Sequence, residues 1–307
     1  MPSHAFPLLA ILLLFSSPTL LSAQAPLETA GTRALGMGGA FVGVADDSSA
    51  PSWNPAGLST LRFFDASLER TEVGWVDTTQ FAVALPVLAF SYTRQHFEDP
   101  DVSIAELTAS RQDQRIETVA RTFRVQHFGL TLVQSLGDAV VVGSTLRLVR
   151  GGAGEARNRF DADIGVLATI GRLRLGLAVR NLTEPEFDAG STRPWEIERH
   201  ARIGASFGGE PARGQRPWAA AVDADLTRTA VPGGERRSLA AGAERWSANR
   251  RFALRGGGRV QTIGDLRPAA SGGASVAIRR GVLIETQATG GSDAADRGWS
   301  VAARLTF

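Results

Sequence analysis

The sequence predicts an all-β fold, a transmembrane antiparallel β-barrel of about fourteen strands, and three observations carry that reading. Side chains alternate apolar and polar from residue 61 onward, the alternating stretches number about fourteen, and the last of them, GWSVAARLTF, ends on an aromatic residue.

The alternation is clearest across 172–180, where Leu173, Leu175, Leu177 and Val179 share one face and Arg172, Arg174, Gly176, Ala178 and Arg180 the other. In 160–169 the polar face carries Asp161 and Asp163, and in 218–227 it carries Asp223 and Asp225. In a membrane barrel the apolar face meets lipid and the polar face lines the lumen, so Arg147, Asp161, Asp163, Arg174, Arg202, Asp223 and Asp225 are expected inside. Acids and arginines on one inner wall are expected to pair with each other.

The strands are expected at 61–71, 78–86, 87–97, 122–136, 139–150, 158–170, 172–182, 198–208, 217–228, 236–247, 251–262, 267–279, 281–290 and 298–307. Connections after strands 2, 4, 6, 10 and 12 are short, and those after strands 1, 3, 5, 7 and 9 longer, with 98–121 the longest. Short turns on one side and long loops on the other are the mark of an outer-membrane barrel. The connection at 209–216 departs from that rhythm. Aromatic residues at Phe63, Phe64, Phe90, Tyr92, Phe97, Phe123, Phe128 and Trp246 suit interfacial girdles.

Lipid offers no partner to an unpaired sheet edge, so the last strand must close on the first. Trp299, Val301, Ala303, Leu305 and Phe307 form an apolar row on that closing strand, and Trp299 and Phe307 are read as a signal for the barrel assembly machinery.

Ahead of the strands, residues 1–23 read as a secretory signal peptide: the apolar run 8–15 is too short to span a bilayer and is followed by small residues. Residues 24–60 form a separate segment, and 61–307 the barrel. The segment packs Gly36, Gly38, Gly39 and Gly43 among small residues, so its backbone can approach other surfaces closely. Asp46 and Asp47 precede Ser48 and Ser49 as helix-starting residues, and Asn54 precedes Pro55, Ala56 and Gly57 as a cap followed by proline at the first helical position. Two short capped helices are expected, with Asp46 or Asp47 latched to an inward arginine.

The composition narrows the function. There is no cysteine, so disulfides and thiolate metal sites are excluded. Every basic residue is arginine, which sets a pI near 10.1 although the formal net charge is only +2. Acids and arginines alternate along the chain without a basic block, so no nucleic-acid partner is expected. Gly36-Met37-Gly38 lacks the third glycine of a dinucleotide loop. His96, His127 and His200 are scattered, and no nucleophile stands at a fixed spacing from any of them. No catalytic residue, metal site or cofactor is expected.

The strings RALGMGGAF (33–41), ADD (45–47) and WNPAGL (53–58), together with the terminal GWSVAARLTF, resemble the FadL-like superfamily of outer-membrane barrels. That group includes long-chain fatty-acid transporters and secretion-associated barrels of the PorV/PorQ type. The resemblance implies a fourteen-stranded barrel in the outer membrane of a Gram-negative-type bacterium, with the N-terminal segment folded into the lumen as a plug. Gly36, Gly38, Gly39, Asp46, Asp47, Asn54, Pro55 and Gly57 would then form the plug or gate. The implied partners are outer-membrane lipid, the assembly machinery, and either a hydrophobic small molecule or an exported protein. The chain is short for a fatty-acid transporter, and glycines such as Gly256, Gly257, Gly258, Gly272 and Gly273 stand where a ligand tunnel would carry bulky residues.

Overall fold

Fourteen of the strands hydrogen-bond side by side into one closed antiparallel barrel, which leaves no free sheet edge. The computed structural model describes residues 29–61, 63–98, 122–152, 156–187, 195–209, 217–231 and 234–307. The expected signal peptide at 1–23 and most of the loop at 98–121 lie outside the described residues.

The wall comprises β1 (Asp65–Val73), β2 (Val76–Ala84), β3 (Leu88–Glu98), β4 (Thr122–Ser135), β5 (Val140–Gly152), β6 (Arg157–Ile170) and β7 (Leu173–Arg180), continuing through β10 (His200–Gly208). It is completed by β11 (Trp218–Asp225), β14 (Ser238–Trp246), β15 (Phe252–Gln261), β16 (Pro268–Arg279), β17 (Val282–Gly291) and β18 (Gly298–Thr306). Two small hairpins, β8 (Glu186–Phe187) with β9 (Trp195–Glu196) and β12 (Thr229–Val231) with β13 (Gly234–Arg236), stand on the long connections after β7 and β11. Each expected strand has its counterpart in the wall.

Closure joins β1 to β18 in register from Asp65 opposite Thr306 to Val73 opposite Gly298. Beyond the ladder, Phe307 N–H donates to the Phe64 carbonyl at 3.0 Å, and the two rings lie 6.2 Å apart. Thus the C-terminal aromatic is tied to the start of the first strand.

Alternation sorts side chains between the outer surface of the barrel and its lumen. Leu68, Phe81, Phe90, Phe128, Leu146, Phe160, Phe207, Leu254 and Trp299 are exposed on the outside, whereas Glu69, Arg147, Asp163, Arg202, Asp223, Glu244 and Arg304 are buried within. Among the expected girdle residues whose side chains are described, Phe97 and Trp246 depart from this: they fall on the inward parity and are 7% and 5% exposed. Phe97 packs with Val76, Val125, Val149, Phe187 and Ile197 under the β8–β9 hairpin.

The connection expected to be long after the first strand is a tight turn instead. β1 runs on to Val73, β2 starts at Val76, and Gly74 takes a left-handed φ of 60° that a two-residue hairpin needs. The alternation of Glu69, Thr71 and Val73 continues straight into that turn, so the strand extends later than expected. Among the described residues, no helix is long and apolar enough to cross a membrane.

Candidate functional site

Residues 29–60 are enclosed by the strand ring. The segment forms α1 (Thr32–Gly36), α2 (Ala50–Trp53) and a 3-10 helix (Pro55–Thr60), one helix more than expected. α2 begins beside Asp47, whose carboxylate accepts from Ser49 N–H at 2.9 Å. The 3-10 helix is capped by Asn54, whose Oδ1 accepts from Ala56 N–H at 3.1 Å, with Pro55 at the first position. The segment has a small core of its own: Phe41 meets Trp53 edge-on at 6.1 Å, and Leu35, Met37, Val44 and Leu58 pack around them against wall alanines such as Ala84 and Ala221.

Every one of the fourteen wall strands touches this segment, and wall side chains of opposite charge hold opposite ends of its peptide dipoles. Carboxylates take its N–H groups: Glu69 accepts from Gly31 and Thr32, and Asp223 accepts from Phe41 at 2.7 Å and Val42 at 2.8 Å. Guanidiniums donate to its carbonyls: Arg147 to Pro51, Arg174 to Val44, Arg180 to Ser52 and Arg202 to Gly39. Gln80, Gln95, Ser206 and Ser271 add bonds from β2, β3, β10 and β16. Val133 of β4 packs on its core, and α1 lies against β17. Asn54 Nδ2 spans segment and wall, donating to Val42 and Val166 carbonyls at 3.0 Å each.

Glycines on both sides permit that closeness. At Gly38, φ is +70° and an added Cβ would stand 2.5 Å from the Gly258 nitrogen. On the wall, a Cβ at Gly143, Gly165, Gly176, Gly242 or Gly257 would collide with Ala56, Asn54, Val42 or Met37. Gly256 and Gly272 have no comparably close neighbour.

On the β14–β1 side, the grip is ionic. Arg33 of α1 binds Glu244 with two bonds, 2.8 Å from Nε and 2.7 Å from Nη2, and its Nη1 lies 2.5 Å from Asp46 and 3.0 Å from Asp47. Its guanidinium also sits 5.2 Å from the Phe41 ring. Arg304 binds Asp65 at 2.6 Å and lies 3.6 Å from Asp47 and 3.7 Å from Glu285. Arg255 bridges Glu244 at 3.6 Å and Glu285 at 3.8 Å, closing a ring of buried charges. Burial pushes the Asp47 carboxyl up, but Arg304, Arg33 and the Ser49 hydrogen bonds outweigh it and hold Asp47 below its ordinary value.

The structure places the expected wall residues as follows. Asp163 pairs with Arg147 at 2.5 Å and accepts from Asn181 N–H; Asp225 pairs with Arg202 at 2.6 Å and His200 at 3.0 Å. Asp161 accepts from Thr183 at the loop end of β6. Asp46 and Asp47 find their nearest arginine in their own segment, at Arg33, and the inward arginines stand further off, Arg304 at 3.6 Å from Asp47 and Arg174 at 4.0 Å from Asp46. Sequence reasoning passed over Arg33, Asp65, Glu69, Glu244, Arg255 and Glu285. The five on strands all stand at inward parity, the signal by which they could have been found.

Below the segment, toward the short turns, the lumen opens into a chamber of about 980 Å³. Leu61, Phe64, Trp246, Leu283 and Phe307 give it apolar walls, Asp46, Asp65 and Arg304 lie at its inner end, and Arg250 stacks on Trp246 at 6.0 Å. Among the described residues no cluster of histidine and acidic side chains could hold a metal ion.

The fold is that of FadL-like outer-membrane barrels. It is similar to the CymD monoaromatic hydrocarbon channel, with a TM-score of 0.62 at 11% identity over 92% of this chain and 98% of that one. The Ralstonia pickettii toluene transporter TbuX gives 0.60 at 13% identity, covering 92% and 99%, and a Pseudomonas aeruginosa FadL homologue 0.58 at 12%, covering 93% and 100%. Residues 114–225 match the family model described as "F plasmid transfer operon, TraF, protein", a stretch well short of half the chain. No curated protein sequence matches.

Proposed function

We propose that this protein sits in the outer membrane of a Gram-negative-type bacterium and passes or binds hydrophobic or amphipathic small molecules, without chemistry of its own, its N-terminal segment serving as the plug that gates the lumen. The observation that carries the reading is the contact of that segment with every wall strand, next to a chamber whose walls are partly apolar. A monoaromatic hydrocarbon channel and a toluene transporter of the same fold support the cargo class.

A lumen ringed by ion pairs repels apolar cargo, so passage requires the segment to move and runs along Leu61, Phe64, Trp246, Leu283 and Phe307. Glu69 and Asp223 hold four backbone N–H groups of the segment and are its most economical release points. Uptake of a labelled monoaromatic hydrocarbon into reconstituted vesicles tests this. Wild-type vesicles should exceed protein-free ones, and Glu69→Ala/Asp223→Ala should exceed both; uptake equal in all three overturns the reading.

A second reading, a docking component for exported proteins, draws on the tightness of the glycine-to-glycine packing around Gly38, which leaves little room for a solute. Co-purification of an exported protein from native membranes, with no uptake by vesicles, would select it. In either case the exposed rings of Trp299 and Phe307, at opposite ends of β18, suit recognition by the assembly machinery.

A further inference from the structure

The outward faces of β2–β6 form a lattice whose rows the strand registers fix. One row reads Phe81, Tyr92, Phe128, Leu148 and Phe160, each opposite the next across neighbouring strands. Tyr92 and Phe128 rings lie 5.0 Å apart, and Phe160 is 80% exposed. The row toward the short turns is Val83, Phe90, Leu130, Leu146 and Ala162, wholly apolar. The row toward the long loops is Thr79, Arg94, Gln126, Arg150 and Asn158, and one step further His96 stands opposite Arg124. The switch from acyl-compatible to cationic side chains therefore falls within one residue pair, about 7 Å, as at an interface between lipid tails and head groups.

Arg94, Arg124 and Arg150 are exposed, and none has a carboxylate partner among the described residues. The nearby Arg70 differs, being paired with Asp77 at 2.5 Å. The arginines are also local. Among the described residues, the outward faces of the strands from β6 to β18 carry none at the long-loop end, and Arg245 lies at the opposite end of β14. A general attraction to charged head groups would distribute cations around the barrel. A patch confined to three adjacent strands, with Arg94 and Arg150 backbones about 10 Å apart on either side of Gln126, instead matches one discrete anionic group.

We infer that the β3–β5 face is a binding site for a phosphorylated glycolipid of the outer leaflet, its phosphate held by Arg94, Gln126, Arg150 and Arg124 and its acyl chains lying on Phe90, Tyr92, Phe128, Leu130 and Leu146. The inference rests on the placement of the barrel in an outer membrane with its long loops outward, and not on what the lumen carries. Cell fractionation tests that placement separately.

The test is retention of lipid by the detergent-purified full chain, read by native mass spectrometry after incubation with bisphosphorylated lipid A, dephosphorylated lipid A or phosphatidylglycerol. Wild-type protein should retain the bisphosphorylated lipid preferentially. Arg94→Gln/Arg124→Gln/Arg150→Gln should retain it about a hundredfold less, whereas Arg245→Gln should match wild type. Equal retention of the dephosphorylated lipid or of phosphatidylglycerol by wild type overturns the site, as does undiminished retention by the triple variant. The comparison among lipids uses wild-type protein alone, so it decides the matter even where the triple variant fails to fold.

Discussion

The two sides of the lumen hold the same segment by different chemistry. From β14 through β18 to β1, charged side chains meet charged side chains, with Arg33 at the centre and Glu244, Arg255, Glu285, Arg304 and Asp65 around it. From β5 through β11, wall side chains meet backbone: Arg147, Arg174, Arg180 and Arg202 address carbonyls, and Asp223 addresses N–H groups. The ionic side constrains which residues the segment carries. The backbone side constrains mainly its path, since any residue supplies a carbonyl, and reads side chains at Asn54, bonded to Val166, and Trp53, under Arg202. Five carboxylates (Asp46, Asp47, Asp65, Glu244 and Glu285) surround three arginines on the ionic side, so no cation there is expendable.

The largest effect is therefore expected at Arg33. Arg33→Met strands Glu244, Asp46 and Asp47 without their closest cation and should lower stability by about 3–5 kcal/mol, read as a fall in the thermal midpoint of the barrel. Adding Glu244→Gln should recover part of that loss, because one stranded charge goes with it. A double variant that loses the full sum of the two single effects would show that the ring is not a coupled unit.

Next in size come the close approaches. Gly38→Ala puts a methyl group 2.5 Å from the Gly258 nitrogen at a left-handed φ, and Gly257→Ala meets Met37 from the other side. Each should cost about 1–3 kcal/mol and raise solute leakage through vesicles, since the segment must draw back from the wall. Gly256→Ala, with no close contact, is the matched control and should leave leakage unchanged. Asn54→Ala follows: it removes donors to Val42 and Val166 carbonyls and the acceptor for Ala56, and should cost about 1–3 kcal/mol by the same melting assay.

These effects differ in how far the sequence foretold them. The wall was legible because a two-residue period assigns each side chain to a face, and Asp163, Arg174 and Asp223 fall inside as that period requires. Period tells the face and not the partner. The pairing of Asp163 with Arg147 needs the β5–β6 register, and the contact of Glu244 with Arg33 joins residues far apart in sequence that no local pattern connects. At Phe97 and Trp246 aromaticity near a strand end suggests the girdle, but parity decides and places both inside. Arg33 lies in a segment with no period at all, so neither rule reached it. The glycines of that segment were legible as close approaches, but the matching wall glycines, Gly143, Gly165, Gly176, Gly242 and Gly257, acquire a meaning only once the two surfaces are brought together.

The smallest effect sharpens the boundary between the two sides. Arg174 donates to the Val44 carbonyl at 3.3 Å and stands 4.0 Å from Asp46, so it borders both chemistries. Arg33 holds Oδ1 of Asp46 at 2.5 Å, whereas Arg174 faces Oδ2 from 4.0 Å, beyond hydrogen-bond reach, which leaves the carbonyl bond as the main tie of Arg174. Arg174→Gln should then cost about 0.5–1.5 kcal/mol, the range for one net hydrogen bond. The same change made on an Asp46→Asn background should cost the same to within about 0.5 kcal/mol, as independent sites do. Thermal midpoints of the four proteins in that cycle give the coupling directly. A larger coupling moves Arg174 into the ion ring, extends the residue-specific side across β7, and leaves Arg147, Arg180 and Arg202 as the arginines that reach the segment through its carbonyls.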